Sequence, residues 1–320
     1  MDLVTGGAGF LGLELARQLL ERGREVRILD RVQSPRLPPE AEFRKGDIRD
    51  LAAVSRACEG AEVVYHLVGV VPQARVRPDE MRAINVGGTR NVLNACFEKG
   101  ASRMVFVSSS EVYGRLEAVP CTETAILGPI GEYGVNKMSA ELMCREAMRE
   151  RGLLVSILRP TTIVGPHNWD GMFEMLFKQV MDNGYLPVPG RGDAKWQVVH
   201  VEDTAAAAVL AGESEEAAGQ AFNVAAPGEV PTHLELALAM KESTGSSARI
   251  IRINKTLTTG VLRALCLLGL SPLEPDQFLV GFSDYVLDVS KLQSMLGWEA
   301  KFTSLEAFEA SYRWYESTLS

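Results

Sequence analysis

The chain has 320 residues, with 33 Lys and Arg against 41 Asp and Glu, for a formal net charge of −8. Hydrophobic residues make up 46% and charged residues 23%, a globular balance that excludes disorder, collagen and coiled coil. The acidic balance gives no electrostatic footprint for nucleic acid, and the length exceeds a single core of about 250–300 residues, so one large domain with a smaller appendage is predicted.

The opening MDLVTGG lacks the charged, apolar and small-residue order of a signal peptide. Buried strands are predicted at 3–5, 25–29, 62–67, 104–108 and 154–158, with a third strand presumed before Gly46. Their near-continuous apolar runs fit a parallel sheet covered on both faces. Helices are predicted at 11–22, 79–99 and 132–149, and Gly23 and Gly100 sit where helices should stop. Repeated βα units of this length imply a doubly wound α/β sheet with right-handed crossovers.

Beyond Arg159-Pro160 the pattern loosens. Loops are predicted at 165–171 and 187–196, and helices at 172–183, 202–212, 232–244 and 304–318. The expected division is a nucleotide-binding domain over 1–160 and a smaller, mainly helical lobe over 161–320. Segments 198–201 and 222–224 are expected to return to the main sheet. The apolar stretch 261–270 contains Arg263 and falls short of the ~20 residues that span a bilayer, so a buried or interfacial helix is expected there. Cys58, Cys96, Cys121, Cys144 and Cys266 form no CxxC pair and read as reduced thiols of a cytosolic protein. His66, His167, His200 and His233 are as scattered, so no metal site is predicted.

Thr5-Gly6-Gly7-Ala8-Gly9-Phe10-Leu11-Gly12 follows a predicted strand and opens a predicted helix. Gly6 allows a tight turn, Gly9 lets backbone approach a pyrophosphate, and Gly12 permits close packing, the order of a Rossmann-type phosphate turn. Asp30 follows 18 residues after Gly12, at the end of the next strand. A carboxylate there accepts hydrogen bonds from adenosine ribose hydroxyls and repels a 2′-phosphate, which predicts NAD over NADP. Arg31 is the residue positioned to offset that preference. Asp47 and Ile48 are placed either at the adenine or, for Asp47 or Asp50, at a helix N-cap.

Tyr133 and Lys137 are spaced i, i+4 on a predicted helix and so share one face. A nearby cation is expected to lower the tyrosine pKa and allow proton exchange with an alcohol or ketone. VFVSSSEVY at 105–113 ends a buried strand in three serines, at the carboxyl edge where such sheets bind ligands. A hydroxyl there can hold a substrate oxygen or simply cap a turn.

Together these motifs resemble the extended short-chain dehydrogenase/reductase family, also called the NAD-dependent epimerase/dehydratase family. The resemblance covers nearly the whole chain. It runs through GGAGFLG (6–12), YHLVG (65–69), NVGGTRNVLNA (85–95) and SSSEVYG (108–114), then YGVNK (133–137), RPTTIVGP (159–166), VHVED (199–203) and LGW (296–298). It implies an enzyme with Tyr133 as acid/base, Lys137 as its electrostatic partner and Ser109 as the catalytic hydroxyl, flanked by Ser108 and Ser110. It places Gly6, Gly9, Phe10, Leu11, Gly12, Asp30, Arg31, Asp47 and Ile48 on the cofactor. His66, Leu67 and Val68, with Tyr133, Lys137 and Pro160, belong to the same set. Asn85 and His200 are assigned structural positions. The implied chemistry is hydride transfer between nicotinamide C4 and a hydroxyl or carbonyl carbon, and a homodimer is expected. Intact Ser109, Tyr133 and Lys137 disfavour a nucleotide sensor without turnover.

Departures bear on the substrate. Thr162 and Val164 stand where sugar-nucleotide members carry Asn and Tyr. Trp196 and Phe282 replace arginines, leaving Arg191 or Lys195 to compensate. A guanidinium fork suits a diphosphate and an aromatic ring does not. Ser110-Glu111 replaces an Asp-Glu pair, which disfavours ordinary sugar dehydration. Arg75, Arg77 and Arg82 read either as contacts to an anionic substrate or as a solvated loop. Segments 256–273 and 172–177, with Trp196 and Phe282, read as an apolar wall or as lobe core. The expectation leans to an epimerase-type reaction on a sugar or nucleotide sugar. The alternative is a net alcohol dehydrogenase or ketoreductase on a steroid-like, lipid or polyketide substrate.

Overall fold

A computed structural model describes residues 1–71, 74, 76–168, 171–267 and 279–318. The apolar runs of the first half become strands β1 (Asp2–Thr5), β2 (Val26–Asp30), β3 (Glu42–Lys45), β4 (Val63–His66), β5 (Arg103–Val107) and β6 (Leu154–Pro160). Between them lie α1 (Phe10–Glu21), α2 (Leu51–Cys58), α3 (Pro78–Arg82), α4 (Thr89–Lys99) and α5 (Glu132–Arg151). The second half adds β7 (Thr162–Val164), α6 (Gly171–Met181), β8 (Tyr185–Pro189), β9 (Val198–His200), α7 (Val201–Glu213) and β10 (Ala221–Val224). It continues with α8 (His233–Thr244), β11 (Arg249–Ile253), α9 (Lys255–Leu267), α10 (Ser290–Leu296) and α11 (Ser304–Ser317).

Seven strands form one sheet in the order β10-β6-β5-β4-β1-β2-β3, and every pairing in it is parallel. Chain order reverses on either side of β1, which opens a crevice at the carboxyl ends of β1 and β4. One face of the sheet is covered by α1 and α7 through residues such as Leu15, Leu19, Ala208 and Val209. The other is covered by α2, α4 and α5 through Val54, Val92, Cys96, Ala140 and Cys144. Fully buried leucines of this kind contribute about 1.5–3 kcal/mol each. Covered on both faces, the strands need no polar alternation, which is why they read as solid apolar runs.

The second half builds its own core. Phe173, Phe177, Phe308 and Tyr312 pack edge to face with ring centroids 5.4–5.7 Å apart, contacts worth about 0.5–1.5 kcal/mol each beyond their buried area. Thr232 and Thr303 close capping boxes with Glu235 and Glu306 at the starts of α8 and α11. Among the described residues no helix is long and apolar enough to cross a membrane.

Three expectations change and one open alternative resolves. The helix expected over 79–99 is interrupted by a π-helical turn at Ala83–Gly88, and it ends at Gly100, whose φ of 73° suits glycine. The loop expected over 187–196 begins with strand β8, paired parallel to β11. Pro187 and Pro189 are tolerated there because alternate residues of a two-stranded ribbon need no inter-strand N–H. Of the two segments expected to join the main sheet, 221–224 does so beside β6. Segment 198–200 pairs with β7 instead, because β10 already occupies the free edge of β6. Of the two candidate caps for α2, it is Asp50 that serves, accepting from Ala52 N and Ala53 N.

Candidate active site

The glycine turn sits at the head of the crevice. Gly6 takes φ 75°, and a Cβ there would meet Val68 N at 3.1 Å. A Cβ on Gly12 would lie 2.3 Å from the Gly6 carbonyl oxygen and 2.5 Å from Gly7 Cα, so α1 can approach its own leading turn only without a side chain. Gly9 begins α1 with no side-chain cap, and the first turn carries no acidic residue. The positive end of the helix therefore stays uncompensated. Asp30 accepts from Ala8 N at 3.1 Å and from Arg31 N at 2.7 Å, which locks its carboxylate against the turn.

A cavity of about 300 Å³ opens there, at the small end of the usual range for ligand sites. Gly6, Gly9, Phe10, Leu11, Gly12, Asp30, Arg31, Asp47, Ile48, Leu67 and Val68 all line it, together with Gly69, Val70 and Ile84. Folding thus gathers residues from the ends of β1, β2, β3 and β4. Asp47 is bound by Arg49 at 2.6 Å, and that guanidinium holds its carboxyl below the usual range.

His66 is a correction. The resemblance places it on the cavity wall, but it is the buried last residue of β4, and the chain that lines the opening begins just past the strand end at Leu67 and Val68. Burial and Lys137 push its pKa down to about 3. Asn85, in the π-helical turn, accepts from Val70 N at 2.7 Å and donates to Val70 O at 2.9 Å. It thereby pins the cavity rim.

The three serines separate cleanly. Ser108 turns inward and donates to Glu141 at 2.6 Å. Ser110 is buried, and its carbonyl accepts from Tyr285 Oη at 2.7 Å. Ser109, in extended backbone at φ −159°, accepts from Glu111 N at 3.2 Å, and its hydroxyl stands near enough to Tyr133 to favour the ionised phenol slightly. Lys137 is buried and donates to Val107 O at 2.8 Å. Its Nζ lies 5.8 Å from the Tyr133 ring centroid and 5.1 Å from that of Phe106. A Cβ on Gly69, which lines the cavity, would sit 3.0 Å from this Nζ, so the ammonium stands directly behind that wall. Lys137, Tyr133 and Pro160, at the end of β6, stand outside the lining itself.

The electrostatics depart from the expectation. Burial pushes the Tyr133 phenol up, and the Glu111 carboxylate pushes it further, against a smaller opposing effect of Ser109. Burial pushes Lys137 down to about 8. The Lys137 ammonium does not offset the loss of water around the phenol.

The residues expected on the substrate side do not converge on the cavity. Arg191 is exposed and paired with Asp193 at 2.7 Å. Trp196 stacks on Phe173 at 6.0 Å and on His233 at 5.1 Å, within the aromatic core of the second half. Phe282 lies under Lys255 Nζ, 5.8 Å from its ring centroid. Phe173 and Phe177 are core, whereas Leu257 and Val261 of α9 are exposed. Arg77 is exposed and paired with Asp79. Arg75 and residues 268–273 lie outside the described residues. His200 caps α7 through Nδ1, stacks on Phe302 and leaves Nε2 without a partner. Sequence reasoning missed Tyr285, whose partner is 175 residues away. It also missed Thr161, whose buried Oγ1 at the carboxyl end of β6 has no partner; only its place after Arg159-Pro160 could have signalled it.

A profile of the NAD dependent epimerase/dehydratase family matches residues 3–225. The protein y4nG of Sinorhizobium fredii is 34% identical, with 98% of this chain and 78% of that protein covered. The 3 beta-hydroxysteroid dehydrogenase/Delta 5-->4-isomerase of Mycobacterium tuberculosis is 31% identical, with 98% and 90% covered. Among solved structures, the UDP-glucose 4-epimerase of Thermotoga maritima with UDP-glucose superposes with a TM-score of 0.84 at 26% identity, covering 100% of both chains.

Proposed function

The chain belongs to the NAD dependent epimerase/dehydratase family, a family of enzymes, and we propose that it works on a carbon bearing a hydroxyl or carbonyl, with Tyr133 moving the proton of that oxygen. The observation that carries this reading is the nearness of Ser109 to Tyr133, with the Lys137 ammonium directly behind Gly69 in the wall of the cavity below the glycine turn.

NAD fits the residues present. The uncapped start of α1 would hold the pyrophosphate on its N–H groups. Asp30, fixed by two backbone N–H groups, would accept from the adenosine ribose and repel a 2′-phosphate, which favours NAD over NADP. Asp47 and Ile48 would flank the adenine, with Leu67 and Val68 along the cofactor. Lys137 and Pro160 would border the nicotinamide end. When bound, the dinucleotide supplies a hydride donor or acceptor at nicotinamide C4. Residues 1–160 would carry it, and residues 161–320 mainly the substrate.

Tyr133 is a phenol at neutral pH, since burial and Glu111 hold its pKa up. It is therefore set to give a proton to a carbonyl oxygen and, in reverse, to take one from an alcohol. The Ser109 hydroxyl would hold the same oxygen and stabilise its developing charge. Lys137, anchored on Val107 O, would place a cation beside both.

For the substrate, likeness to UDP-glucose 4-epimerase supports a redox-neutral epimerase-type reaction on a sugar or nucleotide sugar. A net dehydrogenase or ketoreductase on an apolar alcohol or ketone is the second reading. It is favoured by Trp196 in an aromatic cluster, by Arg191 held at the surface, and by the steroid dehydrogenase relative. A cytoplasmic homodimer paired through α4 and α5 belongs to either reading. Exposed Phe97 and Leu142 on those helices support the pairing, and sedimentation tests it.

The deciding experiment is to purify the protein without nucleotide, denature it and identify any released dinucleotide by chromatography. Stoichiometric NAD supports the epimerase-type cycle. An empty protein that binds NAD(H) reversibly and turns over apolar alcohols supports the second reading. Failure to bind any dinucleotide overturns both.

A further inference from the structure

A buried chain of hydrogen bonds joins the two rims of the cavity, and His66 is its centre. Thr5, the last residue of β1, meets His66 Nδ1 through Oγ1 at 2.7 Å. His66 Nε2 meets Thr89 Oγ1 at 3.0 Å. Thr89 Oγ1 donates to the Asn85 carbonyl oxygen at 2.6 Å, and the Asn85 side chain holds both backbone groups of Val70. A hydroxyl has one proton, and Thr89 spends it on Asn85. His66 Nε2 must therefore be the donor to Thr89, and Nδ1 must accept from Thr5. Only the neutral imidazole with its proton on Nε2 satisfies every atom in the chain.

We infer that His66, in this tautomer, is a positioning residue. It couples the glycine turn that follows Thr5 to the π-helical turn and, through Asn85, to the Val70 rim, and so sets the spacing of the walls that grip the dinucleotide. His66 is fully buried and lines no part of the cavity, so it acts only through these neighbours. Lys137 Nζ lies 5.1 Å from the centroid of the Phe106 ring, which also stacks on His66 at 5.7 Å. A neutral imidazole avoids setting a second cation against that ammonium. The inference rests on the cavity being the dinucleotide site.

Thr89 allows a sharp test. Thr89→Val keeps the shape and removes the hydroxyl, whereas Thr89→Ser keeps the hydroxyl. NAD is titrated calorimetrically into the full-length wild type, both variants, and Val155→Ala, a control that lowers stability in the sheet core. The expected result is NAD binding weakened about tenfold or more, ~1.4 kcal/mol, in Thr89→Val. Thr89→Ser and Val155→Ala should stay within about twofold. Equal affinity in wild type and Thr89→Val overturns the inference while leaving the dinucleotide site standing. So does a matching loss in Val155→Ala, which marks the effect as general destabilisation. If wild type binds no NAD, the reading of the cavity fails first, and hydrogen exchange at Val70 N–H decides the inference. Exchange accelerated in Thr89→Val and restored in Thr89→Ser supports the coupling, and unchanged exchange overturns it.

Discussion

Glu141 and Arg159 form a buried, forked ion pair, with Arg159 Nη2 2.6 Å from Glu141 Oε2 and Nε 3.0 Å from Oε1. Glu141 stands one helical turn beyond Lys137 on α5, and Arg159 precedes Pro160 on β6. Ser108 donates to the same carboxylate, and Arg159 also donates to Tyr113 Oη at 2.9 Å. The pair therefore ties the helix bearing Tyr133 and Lys137 to the two strand ends that flank it.

Glu141→Leu or Arg159→Met alone should cost about 3–5 kcal/mol, because each leaves an uncompensated buried charge. The double substitution should cost less than the sum, since it buries neither charge. Urea unfolding of the three variants gives the comparison. A sum that is simply additive would contradict the pairing.

Tyr133→Phe should lower turnover by about 10²–10⁴-fold with NAD affinity unchanged. Ser109→Ala should lower it by about 10²–10³-fold. Single-turnover hydride transfer, followed at the nicotinamide absorbance, separates this from binding. Retained turnover in Tyr133→Phe would remove the proposed acid/base.

Gly12→Ala places a methyl 2.3 Å from the Gly6 oxygen, and neither backbone segment can yield freely. Overpacking of this kind costs about 1–3 kcal/mol. Because the displaced atoms are the turn itself, NAD affinity should fall more than stability suggests. Parallel calorimetry and thermal melts provide the check.

Asp30→Ser should shift relative affinity toward NADP by about tenfold or more, ~1.4 kcal/mol. It removes the carboxylate that opposes a 2′-phosphate and leaves Arg31 beside the site. Competitive binding of the two dinucleotides measures the ratio.

Acid should destabilise the protein through His66. Its pKa is depressed from 6.5 to about 3 in the folded state, so between these values the unfolded chain binds a proton that the folded one refuses. Its contribution is whole above pH 6.5 and is lost as pH falls toward 3, at about 1.4 kcal/mol per pH unit. Urea titrations from pH 7 to 4.5 should show a steeper decline for wild type than for His66→Gln.

The parallel sheet and the glycine turn were legible because their causes are local. Strands buried on both faces are apolar throughout, and a turn with glycine at positions 6, 9 and 12 has few uses between a strand and a helix. The pairing of Tyr133 with Lys137 was legible from helical spacing alone. What the sequence could not show depends on atoms distant along the chain. Ser108, Ser109 and Ser110 are alike as residues; Glu141, Tyr133 and Tyr285 distinguish them. His66 read as a wall residue because a strand end says nothing of which side faces the opening.

Sequence alone therefore determined the fold class, the glycine turn between β1 and α1 and the place of Tyr133 and Lys137 on one helix, since each rests on the spacing of residues within one or two elements. Tertiary structure decided the electrostatics of Tyr133 and where the residues expected on the substrate side lie. The Tyr133 phenol is pushed up, not down, because the pKa depends on how completely water is excluded and on the carboxylate of Glu111 from another segment. Trp196 and Arg191, five residues apart, went to an aromatic core and to a surface ion pair. Packing partners from α6, α8 and α11 fixed the first, and solvent with Asp193 fixed the second.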